Sequence, residues 1–258
     1  MFKAPRRVAT VACLTLSLAL VSVSQAGFTQ VGKLLVSFDA GLAPTKLPRD
    51  RLVPVKVGFK GTFENLDASD TPALRTMEVK LSRGGSINSK GLQRCPPLKL
   101  EGLSSSEAQR ACGPAQVGSG TVSSAFRFPD GKRARSQAKM LLFNTSGGIL
   151  MHVHTTEPLE GTFLVPMKLR KGSGAFATVL KARFPEIAAG YGYLTGFQMV
   201  IQRSFSFRGE RQSYVEASCP APKDLNRVSF ELAKATYRFV EGPTVRTGVL
   251  GSCRVKGG

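Results

Sequence analysis

His152 and His154 are the only two histidines in the 258-residue chain. They stand two apart within Ile149-Leu150-Met151-His152-Val153-His154. On a β-strand such positions point to the same face, so the two rings can approach one metal ion. Glu157 or Glu160 could supply a third ligand. A hydrolase using this pair, metal-assisted or serine-type, is the sharpest catalytic reading. A plainer one puts both rings on a half-exposed sheet face, opposite Ile149, Met151 and Val153. The plainer reading is favoured, because metal sites usually take three or four ligands and no carboxylate keeps a fixed spacing to this His-x-His.

Other catalytic patterns are missing. No G-x-S-x-G elbow presents a serine, and a triad would have to take its base from the same two histidines. Glu64, Glu78, Glu101, Glu216 and Glu231 fall mostly on the polar parity of their strands, as surface carboxylates do, and not as the acid pair of a glycosidase. The clusters Gly118-Ser119-Gly120, Gly172-Ser173-Gly174 and Gly190-Tyr191-Gly192-Tyr193 match neither a P-loop nor a dinucleotide fingerprint. They read as turns, and no cofactor is implied. Tyr191 and Tyr193 could line a carbohydrate groove, or pack at strand ends with their hydroxyls wet. Asn144-Thr145-Ser146 fits a glycosylation sequon.

Charge is the strongest compositional signal. Lys and Arg number 36 against 17 Asp and Glu, a net charge of +19. The densest clusters are Lys132, Arg133, Arg135 and Lys139, then Lys168, Arg170 and Lys171, then Arg203, Arg208 and Arg211. The first is the candidate binding site for an anionic polymer, such as cell-envelope phosphates, acidic lipids or polysaccharides, or extracellular nucleic acid. The competing reading is a set of solvated strand faces. Trp is absent and no aromatics interleave with the cations, which argues against a stacking platform for single strands. No helix-turn-helix or zinc-finger pattern occurs.

Residues 1–26 have the form of a secretory signal peptide. Lys3, Arg6 and Arg7 precede an uncharged apolar run from Val8 to Val23, and Ser24-Gln25-Ala26 places small residues before Gly27. Cleavage there removes three positive charges and Cys13, and leaves no transmembrane segment. Four cysteines remain: Cys95, Cys112, Cys219 and Cys253. An even number in an exported chain reads as two disulfides. Of the three pairings, Cys95–Cys112 and Cys219–Cys253 are favoured, since each joins neighbouring segments. No C-x-x-C is available for a metal.

The elements that must position these residues are mostly strands. Val53, Val55, Val57, Phe59 and Phe63 alternate with polar or small residues, as do Met77, Val79 and Leu81. Phe163, Val165, Met167 and Leu169 form another face, and Pro166 predicts an edge. Phe197 to Phe207 reads as one long strand in which Arg203 needs a bulge, a partner or a sheet edge. Arg208-Gly209 predicts a hairpin turn, and a phase slip near Ala233-Lys234 predicts a bulge. Ser104 with Glu107 forms a capping box for one short helix ending at Gly113-Pro114.

The stretch from Tyr193-Leu194-Thr195-Gly196 through Ser218-Cys219-Pro220-Ala221-Pro222, with Phe230–Phe239 and Ser252-Cys253-Arg254-Val255, resembles uncharacterised exported β-rich proteins of high-GC actinobacteria. The resemblance implies a signal peptide and early and late cysteine pairs. It implies no catalytic residue or ligand.

These readings converge on an all-β chain. The expected architecture is an antiparallel β-sandwich over residues 27–258 with one short helix, or two sub-sandwiches meeting near residue 130. The expected function is non-catalytic binding of an anionic envelope or extracellular polymer. The alternatives are a hydrolase at His152 and His154 and a structural or apolar-ligand carrier protein.

Overall fold

The computed structural model describes residues 26–256. The signal-like stretch up to Gln25, with Cys13, lies outside the described residues.

The strands are β1 (Gly27–Val31), β2 (Leu34–Ala43), β3 (Lys46–Leu47), β4 (Val53–Pro54), β5 (Lys56–Asn65), β6 (Leu74–Ser82), β7 (Gly85–Ile87), β8 (Gln116–Arg127) and β9 (Arg133–Thr145). They continue with β10 (Gly148–Thr155), β11 (Gly161–Lys171), β12 (Phe176–Arg183), β13 (Gly192–Ile201), β14 (Ser204–Phe207), β15 (Glu210–Ser213), β16 (Val215–Ala217), β17 (Arg227–Phe239) and β18 (Thr244–Val255). One α-helix, α1 (Ser105–Cys112), precedes β8.

Thirteen strands form one sheet in the order β1-β2-β5-β13-β8-β9-β10-β11-β12-β6-β17-β18-β3. All its pairs are antiparallel except β18–β3, so the sheet is mixed. It is strongly curled into a half-barrel, where the alternation of the sequence had suggested two stacked sheets. Alternation specifies a buried face and an exposed face, and a curled sheet satisfies it as well as a sandwich does. β18 shows the pattern at its plainest, exposed and buried in strict alternation from Thr244 to Val255.

The core lies inside the curl, where distant strands face each other. Phe38 on β2 and Phe63 on β5 meet Tyr237 on β17 edge to face, with centroids 6.3 and 5.1 Å away. Glycine lets neighbouring strands come close: a Cβ on Gly120 of β8 would collide with Gln198 O of β13. Gly118-Ser119-Gly120 is therefore a close approach of backbones within β8 and not a turn. At the seam, β1 comes against β18, and Thr29 Oγ1 donates to Arg246 O at 3.0 Å.

Local expectations meet mixed outcomes. The Phe197–Phe207 run is two strands, since β13 ends at Ile201 and β14 starts a separate hairpin at Ser204. Arg203 sits in the break. Arg208 and Gly209 both take positive φ, 53° and 81°, the geometry of a two-residue hairpin turn. The phase slip is a bulge between Glu231 and Ala233. β11 is interior, but its ladder with β12 covers only Met167–Lys171, so Pro166 stands where that ladder ends. Residues 129–132 form the turn between paired β8 and β9.

Candidate functional site

The two histidines do share one face of β10, as strand alternation requires. That face is the outer one, and residues 95–115 fold over it. Ile149, Met151 and Val153 point into the main core, whereas Leu150 joins Leu141, Phe143, Leu100 and Ala108 in a second cluster beneath α1. The capping box starts the helix: Glu107 N donates to Ser104 Oγ at 3.3 Å and Ser104 N to Glu107 Oε2 at 2.9 Å. The Cys95–Cys112 disulfide closes the flap, with Cα atoms 5.7 Å apart. Cys219–Cys253 ties the segment after β16 to β18. Both bridges belong to an oxidising compartment.

His152 is fully buried there, not half-exposed. Its Nε2 lies 2.9 Å from Leu103 O, and its Nδ1 is buried without a partner among the described residues. Burial holds its pKa below the ordinary histidine value, against the pull of the Leu103 carbonyl. His154 Nδ1 lies 3.0 Å from Thr162 Oγ1, which in turn donates to Leu103 O at 2.9 Å. One nitrogen of each ring thus meets a carbonyl or a threonine, and among the described residues neither ring is hydrogen-bonded to a serine or a carboxylate. Among the described residues no three His, Cys, Asp or Glu side chains lie together to hold a metal ion. The sequon is equally buried: Asn144 is 1% exposed, and its Nδ2 donates to Gln93 O at 2.8 Å.

The cationic cluster near residue 133 is split. Lys132 pairs with Asp130 at 3.0 Å. Arg133 lies 3.5 Å from Asp70, which Arg127 also reaches at 3.0 Å. Arg135 and Lys139 follow on the outer face of β9. Asp70 also accepts from Tyr193 Oη at 2.8 Å. Burial, then this carboxylate, push the Tyr193 phenol up to about 12. These groups stand at the rim of a polar groove of about 1030 Å³ across β5, β13, β8 and β9. Its floor is the register row Thr62, Gly196, Ser123 and Gln137.

A larger concentration of charge is invisible in the linear sequence. On the outer face of β11, β12, β6, β17 and β18, register assembles three rows. The first runs Lys168, Lys181, Glu78, Thr236, Arg246. The second runs Arg170, Val179, Lys80, Lys234, Gly248. The third runs Arg183, Thr76, Arg238, Thr244. Five strands at their usual spacing make a face roughly 20 Å wide. Lys168 stands directly opposite Lys181, and Lys80 opposite Lys234, arrangements that destabilise a sheet. Glu78 is the one carboxylate within the rows, 3.8 Å from Lys80; Glu231 reaches the outer end of the second row beside Gly248. Of these cations only Lys168 and Arg170 belong to a dense cluster in the linear sequence. The remaining cations stand singly along their strands, and only the register unites them.

The interior offers little space. The apolar cavity lined by Val122, Phe126, Met151, Phe163, Phe184 and Ile187 holds about 50 Å³, whereas pockets for small ligands take ~300–1,000 Å³. No helix among the described residues is long and apolar enough to cross a membrane. No family model, curated protein or solved structure matches the chain.

Proposed function

We propose that this is an exported, non-catalytic β-protein that holds an anionic polymer of the envelope or extracellular space against the outer face of β11, β12, β6, β17 and β18. The observation that carries the reading is the pairing of like charges across adjacent strands, Lys168 with Lys181 and Lys80 with Lys234. Such pairs cost stability in the free protein. A polyanion laid across them would offset that cost and release its counterions. Export is supported by the signal-like pattern of residues 1–26 and by the two disulfides. The finer β-sandwich description is replaced by a half-barrel whose outer face does the binding.

The test is co-sedimentation of the oxidised protein, beginning at Gly27, with cell-envelope material and with long-chain polyphosphate. Binding through several cations should weaken by orders of magnitude between about 50 and 200 mM salt. The double variant Lys168→Glu/Lys234→Glu should lose most of it. Salt-insensitive binding, or none to either material, would remove the proposal.

A further inference from the structure

We propose that the polar groove over β5, β13, β8 and β9 is a binding site for an acidic oligosaccharide, separate from the cationic face. The groove lies on the other side of the half-barrel, so the two proposals succeed or fail independently. At about 1030 Å³ it is large enough for several sugar rings.

The groove's chemistry fits a carboxylated sugar better than a plain polyanion. Its floor crosses four adjacent strands with Thr62, Gly196, Ser123 and Gln137, short or uncharged residues that leave a trough. Ser123, Gln137 and neighbouring Thr195 make no side-chain hydrogen bond among the described residues, so their donors and acceptors are available to ligand hydroxyls. A polyphosphate would leave most of them unused. At one rim Asp70 is shared by Arg127, Arg133 and Tyr193. One carboxylate fixes two guanidiniums and leaves one positive charge at this rim; Glu64 on β5 also lines the groove, so with Arg135 the excess of cations over carboxylates is one. Arg135 stands beside them in the row Tyr193, Ala125, Arg135, with no carboxylate partner among the described residues. Guanidinium forks match carboxylates in geometry and charge. The Tyr193 ring, with its hydroxyl held by Asp70, adds an amphipathic wall of the kind sugar faces use.

The experiment is a titration of the disulfide-bonded protein, starting at Gly27, followed by amide chemical shifts. The probes are tetragalacturonate, neutral maltotetraose and pyrophosphate. Tetragalacturonate should shift the amides of Ser123, Gly196 and Gln137 at about 1 mM or below. Arg135→Ala should weaken binding about tenfold, the loss of one charge-assisted contact. Ser123→Trp, which fills the trough, should abolish it. Lys168→Glu should change nothing. Should Ser123→Trp fail to fold, Arg135→Glu serves in its place. Absence of shifts, shifts confined to β11 and β12, or unaltered binding by the trough variant would overturn the proposal. Equal binding of maltotetraose would overturn its acidic specificity, and equal binding of pyrophosphate would reduce the site to a simple anion contact.

Discussion

His152 is the fully buried residue that a change of pH near neutrality reaches, because histidine is the side chain whose ordinary pKa falls in that range. Its neutral ring is held by Leu103 O, and a proton on Nδ1 would place charge among Leu141, Phe143 and Leu150 with no acceptor in reach. The ionisable neighbours that face it are His154 on the same strand and, through His154, Glu107 on α1. With the folded pKa depressed, the unfolded chain takes up the proton first. The stability that His152 contributes is complete above about pH 6.5 and is lost as pH falls through the folded value. The melting temperature of the native chain should therefore drop more between pH 7.5 and 5.5 than that of His152→Gln. Parallel curves would dismiss the idea. A second residue-scale prediction concerns Tyr237. Its hydroxyl is buried without a partner among the described residues, and burial raises its pKa far beyond the usual phenol range. Tyr237→Phe keeps the ring contacts to Phe38 and Phe63 and removes an unsatisfied group. Denaturant unfolding should show a gain of about 1 kcal/mol; an equal loss would reveal a partner for that hydroxyl, such as bound water.

At the scale of elements, the flap over β9 and β10 and the strands of the cationic face are the pieces that can be altered separately. Cys95–Cys112 closes a sequence separation of 17 and Cys219–Cys253 one of 34. Removing either by paired Cys→Ala replacement should cost about 3 kcal/mol. Only the first should speed hydrogen exchange selectively in residues 95–115, since α1 is the piece it pins over His152. Uniform acceleration across the sheet would show that the flap is not an independent unit. On the cationic face, Lys168→Glu converts a like-charge pair with Lys181 into an opposite-charge one. Stability should rise by ~0.5 kcal/mol, while affinity for polyphosphate falls. A fall in both would mean that the lysine pair is not strained in the free protein.

The whole molecule presents two surfaces of different character on one rigid scaffold. Curling turns an apolar parity of the long strands inward; the outer parity is covered by residues 95–115 over β9 and β10, and elsewhere carries charge on one side and small polar residues on the other. The apolar cavity beneath Phe184 and Ile187 holds only about 50 Å³, so both proposed sites lie on the outer surface. The salt dependence of polymer binding should follow the number of contacted cations, with each Lys→Glu replacement on β11, β12, β6 or β17 lowering the slope of log K against log salt by about one. Replacements at Arg135 should leave that slope unchanged. If both sets of variants act alike, the two surfaces contact one continuous ligand.

Much of this molecule is local and was legible without coordinates. The period of two in β5, β6 and β11, the Ser104–Glu107 cap, the Arg208-Gly209 hairpin turn and the bulge after Glu231 all follow from short-range sterics and hydrogen bonding. Closure into a half-barrel does not, because alternation is the same for a stacked and a curled sheet. The division of Phe197–Phe207 between two sheets was hidden for a related reason: both strands carry the same parity, and Arg203 marks the break only once their partners are known. The burial of His152 depends on residues 95–115 folding over a face that strand periodicity alone would leave wet. The clusters near residues 133 and 168 stood out because their cations are neighbours in sequence. Lys80, Lys181, Arg183, Lys234, Arg238 and Arg246 did not, since none has another cation next to it in the chain. By itself the sequence determined an all-β chain with four cysteines in its described part and a surplus of positive charge. Tertiary structure decided where that charge gathers, because cross-strand register joins residues from β6 to β18 that no local interaction could bring together.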